Sequence, residues 1–291
     1  MFLPRKILEE KLRNMLAEDI GEGDITTALI VPAGATGEAE VRFKEPGIAA
    51  GIEESTVLLE SLGLKIQASF RDGEEIEADE VIMKISGDAR TILSVERTLL
   101  NLLSRMSGIA TATRQLVKKI LNAKLKTRIA CTRKTAPGLL YFDKKAVLLG
   151  GGDTHRLHLD DMILIKDNHI AMVGSLQDAV RSAKERASFS KKIEVEVTSA
   201  AAAVKAAEAG ADIIMLDNFS PQQVEEAIGV LEKAGFLGRV LVEASGGITA
   251  ENVLSYASKK VDIVSLGEIT ESPRALDINL KVARQKPSRG I

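Results

Sequence analysis

From about residue 125 onward the chain repeats one rhythm: a short aliphatic run, a polar turn, then a helical stretch. The runs fall at 125–131, 162–165, 193–197, 212–216, 240–243 and 262–266. They are rich in β-branched and aliphatic residues and do not alternate with polar ones, which is the pattern of parallel strands covered on both faces. The helical stretches between them carry their own punctuation. Segment 199–210 is alanine-rich and ends in glycine, and segment 249–260 opens with Thr249. Segment 220–235 opens with Ser220, Pro221 and Gln223, a capping box with proline at the first helical position. Such a repeat predicts an α/β barrel. An open doubly wound sheet is the alternative, because six strands are clear where a closed barrel has eight.

The first hundred residues have a different grammar. An amphipathic helix opens the chain, GEGDITTALIVP at 21–32 is turn-rich, and short alternating strands come next at 37–44, 47–52, 64–70 and 80–87. EPG and RDGEEIEAD read as turn and exposed loop, and a helix over 52–62 stops at Gly63. A long helix starts with Ser94 as N-cap, is interrupted at Gly108 and resumes; 272–284 reads as a last helix. The expected organisation is an N-terminal α+β domain over 1–105, a barrel over 106–270 and a C-terminal helix over 271–291 packing back on the first domain.

Composition removes several classes of function. With 45% hydrophobic and 27% charged residues the chain is globular, and a formal net charge of −2 argues against general nucleic-acid binding. No Trp and two Tyr leave few platforms for stacking bases. The apolar runs are too short to span a bilayer, and the opening helix lacks the apolar core of a signal peptide. Cys131 is the single cysteine, which excludes an internal disulfide and fits a reducing cytoplasm.

Residues with chemical potential succeed or end the strands, or in the third lie within it: Thr132, Arg133 and Lys134; Lys166; Glu194 and Glu196 (within 193–197); Asp217; Glu243; Gly267 and Glu268. In an α/β barrel these positions share the C-terminal rim, where active sites are built. All three histidines (His155, His158, His169) fall in one basic stretch, 131–170, with Arg133, Lys134, Arg156 and Lys166. Cations interleaved with Gly, Thr and His, instead of with acidic partners, predict a pocket for a small polyanion over a solvated basic face. Ser245-Gly246-Gly247 and Ser265-Leu266-Gly267, after the last two strands, predict a phosphate site at backbone N–H groups, although glycine also serves simple tight turns. Glu196 and Asp217 are candidates for Mg²⁺, for sugar hydroxyls, or for salt bridges to Lys166 or Arg133. A zinc site on the three histidines is disfavoured by their spacing and by Arg156, and Cys131 reads as a buried strand residue, not a nucleophile.

With those residues in place, the sequence resembles the quinolinate phosphoribosyltransferase family over nearly its whole length. The matching segments are EDIGEGDITT, NLLSRMSGIAT, TRKTAPG, GGDTHRLHLDDMILIKDNH, IEVEV, MLDNF, EASGGIT and DIVSLGEIT, in that order. The resemblance implies a type II phosphoribosyltransferase fold, an N-terminal α/β domain with an incomplete, open-faced barrel, working as a dimer or an assembly of dimers. It implies a glycosyltransferase of NAD biosynthesis that joins quinolinate to phosphoribosyl pyrophosphate with Mg²⁺, giving nicotinate mononucleotide, pyrophosphate and CO₂. The quinolinate cage would be Thr132, Arg133, Lys134, His155, Arg156 and Lys166, with Arg105 entering from the partner subunit. Lys134, Lys166, Glu196 and Asp217 would carry the chemistry. Two departures stand out: Leu140 where many relatives have Arg, and Thr154 where Asn is common. Competing readings are a related phosphoribosyltransferase for a monocarboxylate, a molybdate-associated paralogue, a Schiff-base barrel enzyme using Lys166, and a non-catalytic metabolite binder.

Overall fold

The computed structural model describes residues 3–283 of the 291. It divides into two compact units: one made of the chain up to Ala112 with Leu148–Gly150 and the segment from Pro273, the other of Thr113–Val147 and Gly151–Ser272.

The first unit is built on a four-stranded sheet in the order β12-β1-β5-β3, with β1 at Thr36–Phe43, β3 at Lys65–Ala68, β5 at Val81–Asp88 and β12 at Ile278–Val282. Along β1 every second residue is buried (Gly37, Ala39, Val41, Phe43), so one face meets the core and the other meets water. A second, two-stranded ladder pairs β2 (Gly47–Ile48) with β4 (Glu75–Ile76). Helix α1 (Arg5–Ile20) buries Leu8, Leu12 and Leu16, four residues apart on one face, and packs on α3 (Ile52–Ser61). The turn-rich 21–32 stretch contains a helix, α2 (Ile25–Ile30), because the Asp24 carboxylate accepts the Thr27 N–H at 2.9 Å and caps it.

Three sequence expectations are corrected here. The long helix α4 (Ala89–Asn122) begins five residues before Ser94. Asp88 accepts the Thr91 N–H at 2.8 Å and closes the first turn, while the Ser94 hydroxyl donates to Asp24. Gly108 does not interrupt α4, which runs through 34 residues. Glycine stands there because a Cβ would collide with the Arg274 carbonyl oxygen. The segment expected as a last helix is instead extended: β12 lies antiparallel to β1, from Ala39 opposite Val282 to Phe43 opposite Ile278. Its alternating INLKV pattern gains a ladder of backbone hydrogen bonds that a helix could not make with that edge. Residues 284–291 of that expected helix lie outside the described residues.

The second unit is a six-stranded, all-parallel sheet: β6 (Arg128–Cys131), β7 (Ile163–Ile165), β8 (Ile193–Val197), β9 (Ile213–Asp217), β10 (Leu241–Ser245) and β11 (Ile263–Leu266). Their spatial order, β6-β11-β10-β9-β8-β7, is the chain order with its first strand moved beside the last. That is the order of a barrel sheet left open, with no ladder joining β6 to β7. Helices α5 (Leu140–Leu149), α6 (Asp167–Val173), α7 (Leu176–Arg186), α8 (Ala200–Ala209), α9 (Pro221–Lys233), α10 (Val253–Ala257) and α11 (Glu268–Glu271) occupy the crossovers. Ser220 and Gln223 form the expected capping box on α9. The strand starts are pinned twice by one device: Asp212 accepts the Ile193 N–H and Asp262 accepts the Val242 N–H, each at 2.8 Å.

Gly108→Ala is therefore a sharp test of the close approach in the first unit. Forcing a methyl against a backbone carbonyl should cost about 3 kcal/mol despite alanine's better helix propensity. A variant that melts at or above the parent temperature would show that the helix and the Arg274 segment do not touch in solution.

Candidate active site

The carboxyl ends of all six parallel strands open into one cavity of about 550 Å³. β6 leads into Thr132, Arg133 and Lys134; β7 contributes Leu164 and, just beyond it, Lys166. Glu196 comes from β8, Met215 and Asp217 from β9 with Asn218 next, Glu243 and Ser245 from β10, and Ser265 from β11, with Gly267 just after it. His155 and Arg156 enter from the loop after α5. Thr132, Arg133, Lys134, His155, Arg156, Lys166, Glu196, Asp217, Ser245, Gly246, Gly247 and Gly267 are thus brought together as the sequence predicts.

Below the rim lies a charged layer that sequence reasoning did not assemble. Glu194 and Glu243, both without exposed surface, face His155, whose Nε2 is 3.4 Å from Glu194 Oε2 and 3.2 Å from Glu243 Oε2. The Arg156 N–H points at His155 Nδ1 at 2.8 Å, and Nε2 is the nitrogen turned to the carboxylates. The Ser265 hydroxyl donates to Glu243 Oε1 at 2.6 Å, and neither oxygen of Glu194 has a partner in hydrogen-bond geometry. Burial opposes an imidazolium, yet the two carboxylates outweigh it and raise His155 to about 10. Burial likewise pushes Glu194 up. His155 and Glu194 therefore hold their protons more tightly than they would in water.

Several candidates take a different place. The Ser265 hydroxyl is turned down to Glu243, away from an anion, and Leu266 is wholly buried at the end of β11 and does not line the cavity. The three histidines do not converge. His155 holds the buried carboxylates, His158 lies in an exposed group with Asp160 and Asp161, and His169 Nδ1 accepts the Lys166 N–H at 3.0 Å. Cys131 is buried and its thiol is pushed up by that burial, which removes it as a nucleophile. Leu140 opens α5 and does not line the cavity; the Thr154 hydroxyl donates to the His155 carbonyl at 3.1 Å. Arg105 lies on α4 and does not line the cavity either.

At the rim the charges are paired but open to exchange. The Lys166 ammonium donates to Glu196 Oε2, and Lys134 Nζ stands 3.6 Å from a Glu271 oxygen. The Arg156 guanidinium donates to the Met162 carbonyl at 3.3 Å; burial and then the nearby Arg133 charge hold its pKa below the ordinary value. The loop after β10 turns on two glycines: Gly246 (φ +90°) and Gly247 (φ +63°) are consecutive left-handed residues, a backbone that glycine adopts without steric cost. Asn218, which sequence reasoning missed, supports that loop: its N–H donates to the Ser245 carbonyl at 2.8 Å and its amide to Asp217 Oδ2 at 2.6 Å. Any Cβ on Gly246 would strike the Asn218 side chain.

An open α/β barrel whose carboxyl rim gathers cations opposite a glycine turn belongs to the class of enzymes that bind small polyanionic substrates. Residues 24–107 match the N-terminal domain, and residues 109–281 the C-terminal domain, of quinolinate phosphoribosyl transferase, and the chain belongs to that family. It is 45% identical over 271 residues to a probable carboxylating nicotinate-nucleotide pyrophosphorylase of Methanothermobacter thermautotrophicus, covering 93% of this chain and 97% of that one. It is 36% identical to the carboxylating nicotinate-nucleotide pyrophosphorylase of Homo sapiens, covering 97% and 94%. The solved nicotinate-nucleotide pyrophosphorylase of Francisella tularensis superposes with a TM-score of 0.88 at 37% identity, covering 97% and 98%.

Glu243 accepts the Ser265 hydroxyl and faces His155 with no exposed surface, so Glu243→Gln should cost about 3 kcal/mol of stability. A denaturation midpoint equal to the parent's would show that this layer does not hold the cavity wall.

Proposed function

We propose that this cavity holds quinolinate and phosphoribosyl pyrophosphate together, and that the chain transfers the phosphoribosyl group to quinolinate with loss of CO₂, a step of NAD biosynthesis. The observation that carries the reading is the cavity's composition. Arg133, Lys134, His155, Arg156 and Lys166 share one rim with Glu196, Asp217 and the Gly246–Gly247 turn. A pyridine dicarboxylate matches the cations, a ribose the two acids, and a phosphate monoester the turn.

On this reading Arg133 and Arg156 bind the carboxylates through their planar forks, while Lys134 and Lys166 supply point charges. So held, the ring nitrogen faces the anomeric carbon of the sugar. The nitrogen lone pair forms the new C–N bond as the C–O bond to pyrophosphate breaks, and pyrophosphate leaves with that electron pair. Glu196 and Asp217 stabilise the positive charge that develops on the sugar and accept its hydroxyls. The ring nitrogen is now cationic. When the adjacent C–CO₂ bond breaks, its electrons remain on a ring carbon beside that charge, and a proton then takes the place of the carboxylate. The protein's part is orientation and electrostatics with no covalent intermediate. Lys166 is ion-paired to Glu196 and serves as a charged ligand, not as a Schiff-base amine.

Glu196 and Asp217 also suit Mg²⁺. Each keeps one carboxylate oxygen beyond those engaged by Lys166 and Asn218, and two hard oxygens at a rim are what Mg²⁺ uses when substrate phosphates and water complete its shell. When bound, the ion would neutralise the pyrophosphate as it leaves. The His155–Glu194–Glu243 group does not suit it, because His155 holds its proton tightly and both carboxylates are closed to water. The phosphate contacts are Ser245, Gly246, Gly247 and Gly267. Arg105 completes the cage from a partner subunit in a homodimer or a larger assembly of dimers. No helix among the described residues is long and apolar enough to cross a membrane, and a lone buried cysteine suits the cytoplasm.

Release of CO₂ and pyrophosphate from quinolinate plus phosphoribosyl pyrophosphate is the primary test, and binding without release would reduce the chain to a metabolite binder. Arg133→Ala or Lys166→Ala should lower kcat/KM for quinolinate by about 2–4 kcal/mol of transition-state binding. Unchanged quinolinate kinetics in both would remove the cage. Mixing Arg105→Ala with Lys166→Ala subunits should restore part of the activity, because one site in a mixed dimer regains both residues; complete absence of rescue counts against a shared site.

A further inference from the structure

One buried cation plays no part in that chemistry. Lys144 sits in α5 with no exposed surface, in a row of three buried charged residues, Asp143-Lys144-Lys145. Its ammonium donates to the Thr154 carbonyl and, at 3.3 Å, to the Arg156 carbonyl. These two acceptors flank His155, the residue that faces Glu194 and Glu243 from the cavity wall.

His155 is held in an uncommon state. Its φ is +51°, in the left-handed region that side chains other than glycine seldom occupy. Such a conformation persists only where its surroundings over-determine it, and the surroundings here are specific. Asp153 Oδ1 accepts the His155 N–H at 2.8 Å, and the Cys131 thiol approaches the Thr154 oxygen at 3.5 Å. The Asp153 N–H is itself tied to the Ile129 carbonyl at 2.7 Å, which lashes the turn to β6. Lys144 reaches both sides of the strained residue. Removing it would release two carbonyls at once and let the turn relax toward negative φ. The imidazole would then leave the carboxylates and the Arg156 guanidinium its place on the rim.

Electrostatics argues in the same direction. Burial first, and then the Arg133 charge, disfavour the ammonium of Lys144 and the guanidinium of Arg156 alike. Arg133 thus repels both of its neighbours in a partly buried wall, and they would move away if their backbone were free. Kept in place, Arg133 and Arg156 form a site whose repulsion an incoming dianion relieves.

We infer that Lys144 is a positioning residue for the dicarboxylate pocket: without touching substrate, it locks the His155–Arg156 turn by gripping the carbonyls on either side of His155. The inference rests on the assignment of His155 and Arg156 to the quinolinate carboxylates.

Steady-state kinetics of Lys144→Met, Lys144→Gln and Lys144→Arg in the full chain, with Arg156→Ala as control, test it. Misplacing a binding group by about 1 Å costs roughly a hundredfold, so KM for quinolinate in Lys144→Met should rise at least about tenfold. KM for phosphoribosyl pyrophosphate should stay within about twofold and circular dichroism should remain native, because the glycine turn and its supports lie elsewhere. Lys144→Arg, which keeps a cationic donor, should recover most of the loss. A folded Lys144→Met or Lys144→Gln with unchanged quinolinate KM, beside an Arg156→Ala that raises it, overturns this inference alone. If Arg156→Ala is also without effect, the pocket assignment itself fails. Loss of folded protein in both neutral variants, with Lys144→Arg folded and kinetically ordinary, would assign the residue to stability and overturn the inference as well.

Discussion

A parallel sheet curled until its first strand lies beside its last must deliver all six carboxyl ends to one mouth, and everything chemical in this protein depends on that geometry. Strand direction alone converts residues scattered over more than a hundred positions into neighbours. The two-residue period of a strand then sorts them by depth. On β8, Glu194 and Glu196 share a face; the first is sealed beneath the mouth and the second reaches it. On β10, Glu243 is sealed and Ser245 is at the mouth. The result is two stacked polar layers, one fixed and one available.

Exposure separates what those layers can do. In the lower one, Glu243, Ser265 and Glu194 pack against the inner side of His155 away from water, where an unpaired charge would cost several kcal/mol, so exchange with a ligand is closed to them, while His155 itself also reaches the cavity wall. In the upper one, Lys166 with Glu196 and Lys134 with Glu271 are open to solvent, with the lysine side chains 43% and 67% exposed. Pairs of that kind are worth about 0–1 kcal/mol, little enough for a substrate carboxylate or phosphate to displace them. The lower layer holds the wall in shape; the upper one changes partners.

Much of this was legible in the sequence, and the failures have physical causes. The strands, the capping box at Ser220 and the rim residues are local features, written in periodicity and in the polar residues that close each apolar run. Gly108 was misread because a helix-breaking residue and a residue making room for another segment's carbonyl look alike in one dimension. The final segment was misread as helix because INLKV has an edge strand to join, which only the fold supplies. Glu194, Glu243 and His155 stood in the sequence as separate polar residues; that they form one group depends on a side-to-side contact between β8, β10 and a loop. Lys144 had a signal, two lysines inside the apolar helix YFDKKAVLL, but its partners are main-chain carbonyls, which leave no trace in residue identity.

The arrangement also bears on the choice between two carboxylates and one. Arg156 is half-buried beside Arg133 and loses affinity for its own proton because of burial and that neighbour. On the proposed assignment, binding a dianion would neutralise both guanidinium groups together. A monocarboxylate of the same ring shape would satisfy one and leave the other facing it in a site from which water has been displaced. An unpaired charge in such surroundings is penalised more heavily than a missing contact is missed. On the proposed assignment, discrimination thus arises less from how well quinolinate fits than from how poorly the wall tolerates a ligand with too little charge. Such a mechanism works only if the cations cannot drift apart when the wrong ligand arrives, which makes the rigidity of the His155–Arg156 turn part of the specificity itself.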